Sequence, residues 1–213
     1  MQEWFSDDVK QYLETLVPAR DAELHVMEEF ARERNFPIIG PAAGQFCYVL
    51  ARLMNARQIF ELGSGYGYST AWFARAVIEN GGGVVHHVVW DQELSTRARG
   101  HIDALGYSDV VQFHVSEAVE ALEATPGPFD LIFNDINKRL YPGSLPAIEK
   151  KLKPGGALVV DNMLWSARIF DGADQTDDTN GVREMTRLLT TSERWSSTLV
   201  PIRDGLIVAR KAY

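Results

Sequence analysis

The stretch Ile59-Phe60-Glu61-Leu62-Gly63-Ser64-Gly65-Tyr66-Gly67-Tyr68-Ser69-Thr70 constrains the fold of this chain more than any other. A short apolar run closes on an acid. Glycines follow at every second position, and then a helix-compatible segment, 70–78. The order predicts a β-strand, a tight turn and an α-helix. Glycine lets the backbone take positive φ and lets a ligand approach where a Cβ would stand in the way. The helix behind the turn offers unpaired N–H groups to an anionic group. A dinucleotide fingerprint needs Gly-x-Gly-x-x-Gly; Gly63 and Gly65 fit it, but Tyr68 stands at the third position. A P-loop needs Gly-Lys-Ser/Thr at its end, and the lysine is missing. On its own, the turn reads equally well as a plain strand-to-helix connection.

Composition narrows the class. A length of 213 residues with 46% hydrophobic content predicts one domain with a full core. No apolar run is long enough to span a bilayer. Met1-Gln2-Glu3-Trp4 lacks the basic and apolar regions of a signal peptide. The single cysteine, Cys47, lies between Phe46 and Tyr48 in an apolar helical run and reads as a small buried hydrophobe. With no internal disulfide to form, a reducing, cytoplasmic setting is expected. A net charge of −8 argues against a nucleic-acid backbone as the main partner, while leaving an RNA substrate on a local basic patch open.

In chain order, Ser6-Asp7-Asp8 looks like a helix start, with the helix ending before Pro18. A second helix is expected over 19–34, with Leu24, Met27 and Phe30 at helical spacing. A loop with Pro41 leads into a helix over 42–54 carrying Phe46, Leu50 and Leu53 on one side. Strands are expected over 58–62, 84–90, 110–115, 129–135, 157–161, 196–202 and 206–211. Helices are expected over 92–105, 117–124, 145–152 and 181–189, with a turn at Lys153-Pro154-Gly155-Gly156. His86 and His87 fall on opposite faces of their strand, so they cannot act as a pair. Alternating strands and helices predict an α/β fold: a doubly wound, mostly parallel, seven-stranded sheet. Arg203-Asp204-Gly205 turns the last two strands into a C-terminal antiparallel hairpin. The chain reads as one domain over 1–213, with N-terminal helices in 1–36 and a ligand-binding core in 37–213.

In such sheets, ligands gather outside the carboxyl ends of the strands. The polar residues closing the strands are Glu61, Asp91, Ser116-Glu117, Asp135 and Asp161-Asn162. Asp135, Asp161 and Asn162 end what should be adjacent strands. Two carboxylates and an amide oxygen suit Mg²⁺, Mn²⁺ or Ca²⁺ rather than zinc. Two capping aspartates, with Asn162 in a turn, account for the same pattern.

Glu61-Leu62-Gly63-x-Gly65-x-Gly67-Tyr68-Ser69 resembles the first motif of class I methyltransferases, which bind S-adenosylmethionine (SAM). Asp135-Ile136-Asn137-Lys138, Tyr141, Lys153-Pro154-Gly155-Gly156 and Asp161-Asn162-Met163-Leu164-Trp165 are similar to the cation-dependent O-methyltransferases of catechol and caffeoyl-CoA type. Gly44-Gln45-Phe46 and Asp204-Gly205-Leu206 extend the likeness from about Pro37 to the C-terminus. Pro37-Ile38 is closer to bacterial members, some of which methylate a hydroxyuridine in tRNA.

The resemblance implies a Rossmann-like methyltransferase fold, SAM as cofactor, a divalent cation (Mg²⁺ first) and a small phenolic or catechol-like hydroxyl acceptor. It implies that Asp135, Asp161 and Asn162 hold the metal and that Lys138 is the general base. Glu61, Gly63, Gly65, Gly67 and Ser69 would meet the methionine part of the cofactor, with Asp135 beside it. Glu117 would face the adenine amino group. The family's usual ribose-binding acid falls on Val89 here, and Asp91 can replace it only if the strand end bulges. A second departure is Asn134 before the first metal acid, with Asn137 where an acid is common. Family members often form homodimers, so one is expected. The segment 163–180, rich in Asp, with Trp165 and Phe170, is the candidate lid over the acceptor. The competing readings are an NAD-dependent oxidoreductase, which Tyr68 opposes, and a decayed methyltransferase fold serving as a binding module.

Overall fold

The strands of this chain are short apolar runs with little polar alternation, which suits a sheet covered on both faces. In the computed structural model, which describes residues 7–212, they form one seven-stranded sheet. The strands are β1 (Gln58–Leu62), β2 (Val84–Val89), β3 (Val111–Val115), β4 (Phe129–Asn134), β5 (Leu152–Val160), β6 (Trp195–Val200) and β7 (Leu206–Lys211). Their order is β3-β2-β1-β4-β5-β7-β6. The first five are parallel, and β7 runs antiparallel to both β5 and β6. The doubly wound sheet with its closing hairpin is as the sequence predicts. Strand order reverses between β1 and β4, the place where doubly wound sheets bind ligands at the carboxyl ends of their strands.

Two cores divide the strand residues by parity. Ile59, Leu131, Phe133 and Val159 face a cluster with α2 (Ala22–Arg34), α3 (Gly40–Leu53), α4 (Tyr68–Glu79) and α5 (Gln92–Ala104). Phe60, Leu62, Ile132, Leu158 and Val160 face the other, with α6 (Ala118–Ala124), α7 (Tyr141–Lys151) and α8 (Asp177–Thr191). The N-terminal α1 (Asp7–Thr15) precedes them, and the expected Ser6 cap lies outside the described residues. Among the described residues, no helix is long and apolar enough to cross a membrane.

Several expected boundaries move, each for a local reason. The Pro41 helix packs by its small residues, because Ala43, Gly44, Cys47 and Ala51 are buried. A Cβ at Gly44 would meet the Trp72 ring at 2.3 Å, so glycine there lets two helices approach. Phe46, Leu50 and Leu53 share the flank of that face, with Phe46 and Leu50 half-buried and Leu53, in the last turn, 81% exposed. Residues 153–156 are not a free turn. They belong to β5 as an irregularity, since β4 partners shift from Phe129↔Leu152 to Leu131↔Ala157. α7 begins at Tyr141 rather than at Leu145, with Pro142 in its first turn and Pro146 inside. α8 begins at Asp177 rather than at Gly181, with Asp177 and Asp178 in its first turn, where carboxylates are favoured.

His86 and His87 face opposite sides, as expected: His86 meets His114 at 3.0 Å and His87 meets Thr70 at 2.9 Å. Burial holds both imidazoles neutral, pushing His86 down to about 4 and His87 to about 3.

One buried side chain ties the start of the sheet to its helices. Asn80, at the end of α4, donates to the carbonyls of Ala51 (3.1 Å) and Ala56 (2.8 Å), and its Oδ1 accepts from Arg52 (2.6 Å). Asn80→Ala takes the side-chain donor from the Ala56 carbonyl and leaves the Ala51 carbonyl with the Ala56 N–H alone (2.9 Å), and is expected to destabilise the chain by about 1–3 kcal/mol. A urea titration checks this, with the m-value unchanged.

Candidate active site at the strand ends

Gly63, Gly65 and Gly67 all take positive φ (+84°, +51° and +94°). At Gly63 the reason is also spatial, since a Cβ would stand 2.6 Å from the Asp135 carbonyl oxygen. The turn is pinned to β2: Ser64 N–H donates to Val88 O (2.9 Å), and Val88 N–H returns to Ser64 Oγ (3.0 Å). Gly67 stands at the N-cap of α4, and no side chain caps that helix start.

Beneath the turn, Glu61 is fully buried. Its Oε2 accepts from Thr70 Oγ1 at 2.5 Å, while its Oε1 has no protein partner. Burial pushes its pKa up to about 7. The hydroxyl groups of Ser69, Thr70 and Ser64 beside it oppose the rise, and the charge of Asp135 adds to it. With the Thr70 proton given to Glu61, His87 Nδ1–H donates to Thr70 Oγ1, which fixes the imidazole tautomer.

Ladder bonds bring the two strand-end aspartates to one level. Leu62 pairs Asn134, and Asn134 pairs Val160. One residue further, Asp135 N–H donates to Leu62 O (2.9 Å) and Asp161 N–H to Asn134 O (3.1 Å). Asp161 is 1% exposed. Its Oδ1 accepts from the Asn162 N–H (2.7 Å), and its Oδ2 from Arg203 Nη1 (2.9 Å). Burial and then the charge of Asp135 push its pKa up to about 7, against the pull of Arg203. Asp135 Oδ1 accepts from Lys138 Nζ at 2.7 Å. Asn162 takes φ +58°, and its Nδ2 donates to Asp204 Oδ2 (3.1 Å). Buried Tyr141 donates to the Asp161 carbonyl (2.9 Å).

Lys138 is held by close packing. Its turn lies against α8 at Gly181, where a Cβ would meet the Lys138 carbonyl at 2.2 Å. A glycine within a helix signals such an approach of backbones. Tyr141 and Trp165 present ring faces to the ammonium group at 5.3 and 5.9 Å.

Asp91 and Glu117 are engaged in their own helices. Asp91 caps α5 by accepting from Leu94 N–H (2.9 Å), and Glu117 caps α6 by accepting from Glu120 N–H (2.9 Å). β2 pairs regularly through Val89↔Val115 and on to Ser116 N–H→Val89 O (3.2 Å). No bulge carries Asp91 into the place of Val89, and Val89 itself is buried.

Cys47 is the inert hydrophobe that the sequence predicts. Burial raises its thiol well above the ordinary value, and the charges of Asp161 and Glu61 add to this. Segment 163–180 is built rather than loose. Trp165–Phe170 form a kinked 3₁₀ turn, and Arg183 donates to the carbonyls of Arg168, Ile169, Asp171 and Asp174. Trp165 donates to Thr179 (3.1 Å), while Phe170 is 74% exposed.

Sequence reasoning missed Arg203. A non-glycine residue in the first position of a tight turn, facing a strand-end acid across a hairpin, was its available signal. As a metal site, the donor chemistry of Asp135, Asp161 and Asn162 fits a hard cation, with one Asp161 oxygen engaged by Arg203. Among the described residues, no three Asp, Glu, His or Cys side chains gather as a metal-binding group.

With this geometry, comparison with known proteins is informative. A family model described as O-methyltransferase matches residues 19–212. A catechol O-methyltransferase from Niastella koreensis is 29% identical over 214 residues, covering 95% of this chain and 96% of its own. The O-methyltransferase from Bacillus cereus, solved in complex with SAH (S-adenosylhomocysteine), superposes with a TM-score of 0.86 at 26% identity, covering 96% of this chain and 97% of its own. TomG from Streptomyces achromogenes, an O-methyltransferase involved in tomaymycin synthesis and solved with SAM, gives 0.86 at 27%, covering 97% and 96%. A match over almost the whole described chain means that this chain belongs to the O-methyltransferase family.

Proposed function

We propose that this chain transfers the methyl group of SAM to a hydroxyl oxygen of a small catechol-like acceptor, with a divalent cation held by Asp135, Asp161 and Asn162. The observation that carries the reading is the pair of aspartates at one level of adjacent strand ends, beside the Gly63 turn. The catechol O-methyltransferase relative supports the acceptor class, and the SAM- and SAH-bound relatives support the cofactor.

The unpartnered Oε1 of Glu61 suits a cationic ligand group, and we assign it the amino group of the cofactor's methionine. The open turn at Gly63, Gly65 and Gly67, with Ser69 and the uncapped start of α4, suits the methionine carboxylate. Glu117, beyond β3, is assigned to the adenine side, while Asp91, with no bulge to bring it to the place of Val89, stays the cap of α5. When bound, the cation supplies Lewis-acid stabilisation of the acceptor as an alkoxide or phenolate. Lys138 Nζ takes the hydroxyl proton, which requires its bond to Asp135 to part and its ammonium to release a proton to solvent first. As the new O–CH₃ bond forms, the S–CH₃ bond breaks and SAH is left. The chain's work is to hold the acceptor oxygen in line with the methyl group. Segment 163–180 is assigned as the acceptor wall, with exposed Phe170 as its stacking face. We infer a single cytoplasmic domain acting as a homodimer.

Turnover of catechol with SAM and Mg²⁺, lost on chelation, tests the reading. Asp135→Ala is expected to lower that turnover at least about 100-fold; undiminished turnover removes the metal assignment. Phe170→Ala is expected to raise the acceptor KM several-fold with SAH affinity unchanged. An unchanged KM takes Phe170 out of the acceptor site.

Glu61 makes a pH prediction. Its folded pKa, about 7, lies above the ordinary 4.5, so the folded chain keeps a proton that the unfolded chain has released. Stability from this group is therefore full below about pH 4.5 and falls as pH rises to about 7. Glu61→Gln removes that loss. The variant's stability relative to the parent should rise by up to about 3 kcal/mol between pH 4.5 and 8, read from urea unfolding without ligand. Calorimetry should show SAH binding weakened at least about tenfold, since a carboxylate–ammonium contact is lost. A pH-independent stability difference rules out the shifted carboxyl.

A further inference from the structure

Both aspartates at the strand ends carry a cation from the protein itself. Asp135 has Lys138, three residues along the same loop. Asp161 has Arg203, which reaches it from the turn between β6 and β7 with Nη1 2.9 Å from Oδ2. This second pair is the unusual one. Asp161 is buried, and each of its oxygens already has a donor, the Asn162 N–H at Oδ1 and the Arg203 guanidinium at Oδ2. Arg203 also sits at φ +54°, a left-handed conformation that glycine adopts without strain and arginine does not.

The turn does not need the Arg203 side chain to stay in place. Asp204 and Gly205 accept through their carbonyls from Leu164 N–H (2.8 Å) and Met163 N–H (2.9 Å). Gly205 N–H closes on Ile202 O (2.9 Å). The Asp204 carboxylate takes Asn162 Nδ2 and the Ser166 N–H. The guanidinium is thus a group delivered to Asp161 by a turn that other bonds already hold. Its side chain is 31% exposed, so a path back to solvent is open.

We propose that Arg203 is a built-in monovalent cation that competes with a divalent cation for Asp161, so that divalent binding requires the guanidinium to leave. This rests on the assignment of Asp135, Asp161 and Asn162 to the cation. A divalent ion entering while Arg203 stays would share one carboxylate oxygen with a second positive charge at short range, where repulsion is strong. Arg203 therefore lowers divalent affinity and keeps the buried Asp161 charge compensated when no ion is bound.

The test uses the full chain and Mn²⁺ alone as probe, with free Mn²⁺ read by electron paramagnetic resonance. The variants are Arg203→Met, which keeps an unbranched stem and the backbone strain but not the charge, and Arg203→Gly, which relieves the strain as well. Both are expected to bind Mn²⁺ at least about tenfold more tightly than the parent. Asp161→Asn, added to Arg203→Met, should abolish that gain. In thermal unfolding, saturating Mn²⁺ should raise the Tm of Arg203→Met more than that of the parent. Equal or weaker Mn²⁺ affinity in both Arg203 variants, with binding still lost in Asp161→Asn, overturns the competition and leaves the cation site standing. Absence of Mn²⁺ binding in every folded variant overturns the cation site and the competition together.

Discussion

Two ladder bonds that continue past the strand ends are what the site depends on: Asp135 N–H to Leu62 O, and Asp161 N–H to Asn134 O. Parallel pairing sets Leu62, Asn134 and Val160 side by side, so the next residues, Gly63, Asp135 and Asp161, must also lie side by side. A register slip of one residue on β5 would turn Asp161 to the opposite face. The slip is prevented by the apolar residues beneath, because Leu158 and Val160 belong to one core and Val159 to the other. Core packing thus positions the chemistry, and the irregularity at residues 153–156 absorbs the mismatch at the other end of β5.

That placement concentrates negative charge where water is scarce. Glu61 shares the parity of Ile59 and lies on the α4 face, and Asp135 and Asp161 continue the parity of Phe133 and Val159. Burial is the first cause of the raised pKa of both Glu61 and Asp161, and the charge of Asp135 raises each further. The protein compensates with Thr70 at Glu61, Lys138 at Asp135 and Arg203 at Asp161. Each of these partners occupies a position that a cationic ligand also favours.

Much of this was legible in the sequence, for definable reasons. The glycine turn and the strand runs are local patterns, and both β1 and the start of α4 lie close to where the periodicity puts them. The adjacency of Asp135 and Asp161 followed from topology alone. The rest was set by distant packing. Leu53 has the hydropathy of a core residue, but α3 is drawn in by Gly44 against Trp72 and so buries its small face. The early starts of α7 and α8 follow from Pro142 and from Asp177-Asp178, cues that lay within stretches read as irregular. Asp91 and Glu117 looked like rim ligands, and each also serves the commonest duty of a strand-end acid, capping the next helix. Gly181 read as a helix start and is instead where α8 admits the Lys138 backbone.

The antiparallel hairpin explains why Arg203 reaches the site at all. A strand parallel to β5 would enter from the amino end of the sheet, far from Asp161. β7 runs the other way, with Val160 opposite Ile207, so the turn before it arrives at the carboxyl end of β5. The same turn then serves two neighbours: Asp204 holds Asn162 and the start of segment 163–180 through Ser166, while Arg203 holds Asp161. Occupancy of Asp161 is thereby linked through one short turn to segment 163–180. Arg183 fixes the far side of that segment by four backbone carbonyls. A change at Asp161 has its shortest route to segment 163–180 through Asp204 rather than through the sheet, because the sheet beneath is packed on both faces and resists displacement.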